Sequence, residues 1–103
     1  MASNKSKKAA QAPKYVVVRT YSAGVHCGEL VKRSGKEATL RNARRIWSWQ
    51  GAFTLSAIAM RGVGAGSRLS CPVGEIDLTE VIEVITCAPE GEKCLREFAE
   101  HKG

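Results

Sequence analysis

Three β-patterned stretches follow one another so closely near the start of this chain that an antiparallel sheet is the arrangement they fit. Tyr15–Thr20, YVVVRT, has the β-branched and aromatic makeup of a strand. The turn Tyr21-Ser-Ala-Gly24 separates it from Val25–Arg33, VHCGELVKR, which alternates well enough for a second strand, with Gly28 a bulge or a point of close backbone approach. Ser34-Gly35-Lys36 is a tight turn, and Glu37–Asn42 returns as a third strand. The three form a meander.

Downstream the pattern changes. In Ala43–Gln50, ARRIWSWQ, a period of two places Arg45, Trp47 and Trp49 on one face and Ile46 and Ser48 on the other, until Gly51 breaks it. Ala52–Met60 fits a short helix with Thr54 and Ser56 in its first turn. Arg61–Cys71, RGVGAGSRLSC, is glycine-rich and aperiodic, and reads as a mobile loop. The β-branched density of Glu75–Thr86 predicts two short strands meeting near Thr79-Glu80. Pro89 opens a terminal helix with Cys94, Leu95 and Phe98 on one side. The fold expected is α+β: a small, curled antiparallel sheet of five or six strands, a partly open barrel, with two short helices packed on it. A flexible basic arm over residues 1–14 precedes a single compact domain over residues 15–103.

At 103 residues and 44% hydrophobic composition, the chain is ordinary globular sequence with a small core, so oligomer contacts would help it. The net charge of +6 is unevenly placed. Residues 1–14 hold four lysines and no acid, and residues 15–72 hold nine basic side chains against Glu29 and Glu37. From residue 73 onward, eight acids face three bases. The basic middle should attract anions such as nucleic acid, nucleotides or phosphorylated metabolites. The acidic last third either neutralises it within the chain or meets the basic part of a neighbour in an oligomer. No apolar run is long enough to span a membrane, and no secretory segment opens the chain, so the compartment expected is a cytoplasm.

Catalysis and metal binding find little support. Cys27, Cys71, Cys87 and Cys94 have no C-x-x-C spacing and read as reduced thiols, several of them buried. Of the two histidines, His101 lies at the chain end. His26 could pair with Ser22, Ser56 or Cys71, but no nucleophile-elbow or papain-type context surrounds these. No enzyme, cofactor or metal is expected.

Anion binding is better supported. A phosphate needs short-range N–H donors and fixed positive charge. Arg19 and the Tyr21–Gly24 turn supply both, and Asn42-Ala-Arg44-Arg45 adds two guanidiniums and an amide. Adjacent arginines on a strand reach opposite faces, so one serves a ligand and the other a subunit contact, unless both are a surface pair meeting the acidic C-terminal segment. Trp47 and Trp49 are either core or, where one faces outward beside Arg45, a stacking platform with Tyr21 as the opposite jaw. Ser22, His26 and Asn42 would orient polar edges. This reading requires the mid-chain guanidiniums and indoles to converge on one shared cavity.

The residues also carry a resemblance. Val16–Gly62 resembles small phage and prophage proteins of unassigned function, with the pattern V-R-T-Y-S-A-G-V-H-x-G-x-L followed by G-K-E-x-x-L-x-N-A-R-R-I-W-x-W-x-G-A-x-x-L-S. Glu80–Cys87, EVIEVITC, is similar to that family's E-x-I-E-I-I-x-C segment; the lysine arm and the Gly62–Ser67 loop fall outside it. The resemblance implies a phage origin, and so a host cytoplasm. In size, setting and anion-directed residues the chain also looks like the Thoeris anti-defence proteins, which bind and sequester a cyclic ADP-ribose-type immune signal without cleaving it. The function expected is therefore a non-catalytic, homo-oligomeric phage protein that binds a phosphorylated nucleotide-derived small molecule, as a sponge for an immune signal. The alternatives are a basic nucleic-acid-binding accessory protein, working through the arm, and a structural virion or interaction module.

Overall fold

The computed structural model describes residues 13–101. The basic arm expected over residues 1–14 lies, apart from Pro13 and Lys14, outside the described residues. Six strands and two helices follow in the order β1 (Tyr15–Thr20), β2 (Val25–Ser34), β3 (Glu37–Ser48), α1 (Leu55–Arg61), β4 (Arg68–Leu69), β5 (Val73–Leu78), β6 (Val81–Thr86) and α2 (Pro89–Glu97). The strands form one antiparallel sheet in the order β4-β3-β2-β1-β6, with β5 paired to β3 beside β4. The architecture is α+β, and the sheet curls without closing into a barrel.

The three valines of β1 explain its place. Val16, Val17 and Val18 are all fully buried, which a strand achieves only when both its faces are covered. Val17 and Tyr15 join Cys27, Ile46, Ile58, Leu69 and Leu95 in a core under the two helices. Val16 and Val18 join Ala38, Leu40, Ala43, Leu78 and Val81 in a second core on the opposite face. Neighbouring strands lie roughly 4.8 Å apart, so β3 and β6, three spacings from each other, would stand about 14 Å apart in a flat sheet, yet Leu40 and Val81 belong to one core. The far half of the β2–β3 hairpin folds back over β1, and the Val81 N–H donates to the Lys36 carbonyl at 2.9 Å across the gap.

Two irregularities make that curl. Cys27 pairs with Arg44 and Glu29 with Arg41, so Asn42 and Ala43 together oppose Gly28. Asn42 sits at φ 52°, in the left-handed region that asparagine tolerates better than most residues. A Cβ on Gly28 would stand 3.0 Å from the Ala43 Cα, so the close backbone approach expected at this glycine is present. A second shift brackets Val31, between the Leu30–Leu40 and Lys32–Thr39 pairs. Bulges bend a strand and increase its local twist.

Some expected boundaries move. The third strand, expected to end at Asn42, runs on to Ser48, because the bulge absorbs the irregularity and pairing resumes at Arg44, Arg45 and Ile46. The first helix starts at Leu55 rather than Ala52; Thr54 caps it, its side-chain oxygen accepting from the Ala57 N–H at 3.1 Å. The glycine-rich segment contains β4, whose Leu69 is fully buried opposite Ile46. The two late strands join at Thr79-Glu80 as expected, yet they lie on opposite sides of the sheet, β5 on β3 and β6 on β1. Pro89 opens α2, which buries Leu95. Its Gly91 sits where any Cβ would run into the Ala59 carbonyl, so α2 crosses close over α1.

Candidate functional site

Strand alternation divides the two arginines of β3. Arg44 turns inward and is 3% exposed. Its Nε donates to the Ser70 carbonyl at 2.8 Å, and its Nη1 donates to the Leu95 and Phe98 carbonyls at 2.8 and 2.7 Å. The last carbonyls of a helix carry partial negative charge and lack intrahelical partners, so a buried cation there ties α2 to β3. Both arginines were candidates for ligand contact or for pairing with acidic side chains, but Arg44's guanidinium is committed to backbone carbonyls. Arg45 faces out, and its Nε donates to His26 Nε2 at 3.3 Å.

His26 itself is buried on β2 opposite Arg45. Burial, reinforced by the adjacent guanidinium, lowers its pKa to about 4, so the imidazole is neutral at physiological pH. Its hydrogen-bond partner is Arg45, and none of Ser22, Ser56 or Cys71 is bonded to it. Ser22 instead donates to Glu80 Oε1 at 2.6 Å. Tyr21 is 79% exposed, its backbone N–H donating to the Glu80 carbonyl. Asn42 Nδ2 donates to Glu29 Oε2 at 3.3 Å.

The tryptophans also part company. Trp47 is half exposed, with the Arg68 guanidinium 5.4 Å from its ring centre and His101 edge-on at 5.3 Å. Trp49 lies just past the end of β3, where alternation no longer holds, and packs half-buried against the core that holds Ile46. Its remaining surface lines two adjoining grooves. The larger, about 690 Å3, runs between Trp49 and Phe53 to Ala57 and Arg61. The second, about 320 Å3, is lined by Trp49 and Phe53 together with Arg19, Gly24, Val25 and Leu55. Trp49 and Phe53 are the wall common to both, and Phe53 is fully exposed.

The single shared cavity expected from sequence is thus divided. Arg19 and Trp49 come together at the paired grooves, while His26, Arg44 and Arg45 line a separate pocket of about 180 Å3. Asn42 borders a third, beside Tyr15 and Arg96. Tyr21, Ser22 and Trp47 line none of these pockets. Phe53 and Arg61 are not among the residues that the sequence singles out, since Phe53 fits an apolar helical pattern and Arg61 opens a glycine-rich stretch. The break at Gly51, with φ 82°, was the available signal that Phe53 stands outside the helix.

The four cysteines are free thiols. Burial raises Cys27 to about 11 and Cys87 to about 12, so neither is poised as a thiolate. Among the described residues no three His, Cys, Asp or Glu side chains gather where a metal could be held. No described helix is long and apolar enough to cross a membrane. The model of a family described as a domain of unknown function matches residues 13–95. No curated protein and no solved structure matches the chain.

Proposed function

We propose that this chain, which belongs to the DUF6948 family, is a non-catalytic binding protein for a phosphorylated nucleotide-derived small molecule. The observation that carries the reading is the Trp49–Phe53 wall, with Arg61 on one side and Arg19 on the other. A planar ring stacks on an aromatic face, and its phosphates need a guanidinium within reach. The larger groove is within the usual size for a small-molecule site, roughly 300–1,000 Å3. Arg19 is only loosely engaged, with Glu83 at 3.9 Å across an exposed surface, so a phosphate could displace that pairing at little cost.

Binding without turnover suits the histidines. His26 is held neutral and weakly basic, and its Nε2 is already occupied by Arg45, which makes it a poor general base. The biological setting we propose is a phage protein acting in the host cytoplasm, sequestering a cyclic ADP-ribose-type or cyclic-nucleotide immune signal. A homo-oligomer belongs to the same reading, since the partly exposed Val31 and Ile82 leave apolar surface that a second copy could cover.

The test is calorimetry of the full chain against cyclic ADP-ribose isomers and cyclic oligonucleotides. The reading expects one member of the panel to bind, and Phe53→Ala and Arg61→Gln to weaken it at least about tenfold, or 1.4 kcal/mol each. Flat titrations across the panel would remove the reading. A second reading, single-stranded nucleic-acid binding, is favoured by the Trp47–Arg68 stack, another aromatic–guanidinium pair at the surface. It expects affinity that falls steeply with salt and weakens on deletion of residues 1–14.

A further inference from the structure

Unpaired charges of opposite sign stand near the two ends of β3. At its C-terminal end Arg45 and Trp47 share the outward face, since Arg44 and Ile46 alternate with them and are buried. Arg68, on β4 opposite Ser48, brings its guanidinium 5.4 Å from the Trp47 ring centre. Arg45 uses only its Nε on His26. Neither Arg45 nor Arg68 makes an ion pair among the described residues, even with Glu100 next to the His101 that touches Trp47.

The N-terminal half of β3 carries the reverse charge. There it pairs with β5, Thr39 opposite Asp77 and Arg41 opposite Glu75. An open groove of about 480 Å3 has Val31 and Leu78 among its apolar walls and Glu37, Glu75 and Asp77 among its polar ones, with Lys32 as its one basic residue. The Thr39 hydroxyl donates to Asp77 Oδ1 at 2.8 Å and fixes that carboxylate. None of the three carboxylates makes an ion pair among the described residues. Eight residues of strand, roughly 26 Å, separate Thr39 from Trp47, so one chain cannot lay its indole in its own groove.

We propose that copies of this chain associate head to tail, the Trp47 face of one lying on the Glu75–Asp77 groove of the next. The indole packs against Val31 and Leu78, and Arg45 and Arg68 pair with the carboxylates of the rim. An exposed tryptophan between arginines is the usual makeup of an interface centre, and opposite charges across the contact set its register. The contact is heterologous, so each copy keeps a free face of each kind, and the assembly extends or closes into a ring. This inference rests on the homo-oligomer of the proposed function and gives it a surface. It uses none of Arg19, Trp49, Phe53 or Arg61, so the ligand reading and the interface can fail separately.

The experiment is sedimentation of the nuclease-treated full chain over a concentration series, at low and at high salt. The parent should self-associate, less so as salt rises. Trp47→Ala spoils one face and Asp77→Lys the other, and each variant alone should associate at least about tenfold more weakly. Mixed, the two should form a one-to-one dimer and nothing larger, because the intact Trp47 face of the Asp77→Lys chain can lie on the intact groove of the Trp47→Ala chain. Recovery in the mixture also shows that both variants are folded. A parent that stays monomeric at every concentration would overturn the interface, as would an oligomer that Asp77→Lys leaves intact or a mixture that recovers nothing. Association lost on nuclease treatment would overturn it too, and would give the Trp47–Arg68 pair to nucleic acid.

Discussion

Arg44 and Arg45 are adjacent, identical and chemically unlike. The first is buried and donates three hydrogen bonds to carbonyls of the Ser70 turn and the end of α2; the second stands in solvent beside His26. Hydrogen bonds that involve a charged group contribute about 1.5–3 kcal/mol each, and their loss leaves buried carbonyls unpaired. Arg44→Ala should therefore destabilise the protein by about 3 kcal/mol or more in urea unfolding. Arg45→Gln, which removes one bond to the buried His26 from an exposed side chain, should cost only about 1 kcal/mol; equal effects would contradict the division. His26 adds a pH dependence. Its folded pKa is depressed, so above the unfolded value of 6.5 the contribution of the neutral ring is fully present. As the pH falls from there towards about 4, the unfolded chain takes up a proton that the folded one refuses, and stability drops by at most about 1.4 kcal/mol per unit. Stability measured from pH 7 to 4 should lose this slope in His26→Gln. That adjacent arginines face opposite ways was legible in the sequence. Which of them faces inward was not, because the answer lies in α2, half a chain away.

At the scale of elements, local chemistry was a good guide where it was self-contained. The YVVVRT run, the two turns, and Pro89 ahead of Leu95 each found their place. The reading failed where a partner decided the outcome. Arg68–Leu69 has no strand signal of its own and becomes β4 because Leu69 fills the space beside Ile46. The bulge at Asn42 could be mistaken for a strand end, since only pairing across Gly28 carries β3 onward. The helix pair gives a direct check. Gly91 lies against the Ala59 carbonyl with no room for a methyl group. Gly91→Ala should push α2 off α1 and cost roughly 1–3 kcal/mol, although alanine is the better helix former. A melting temperature at or above the parent's would refute the close crossing. Thr54→Ala should cost about 1 kcal/mol through its lost cap.

At the scale of the whole molecule, a curled sheet has its helices over one face and its own folded-back hairpin over the other. That layering sets where function can sit. The helix side leaves Trp49 and Phe53 at the rim. Sequence singled out Arg19 and Trp49 but read one cavity where the curl makes separate ones, because strand alternation assigns faces and says nothing of how far a sheet bends. The proposal that Trp49 and Phe53 form the floor of a ligand site is checked most directly by the fluorescence of Trp49, isolated by Trp47→Phe. Adding the tightest-binding cyclic nucleotide or cyclic ADP-ribose isomer should change its emission saturably, and Phe53→Ala should abolish the change at the same concentrations. A ligand that binds calorimetrically while leaving Trp49 emission unaltered and ignoring Phe53→Ala would contradict the account.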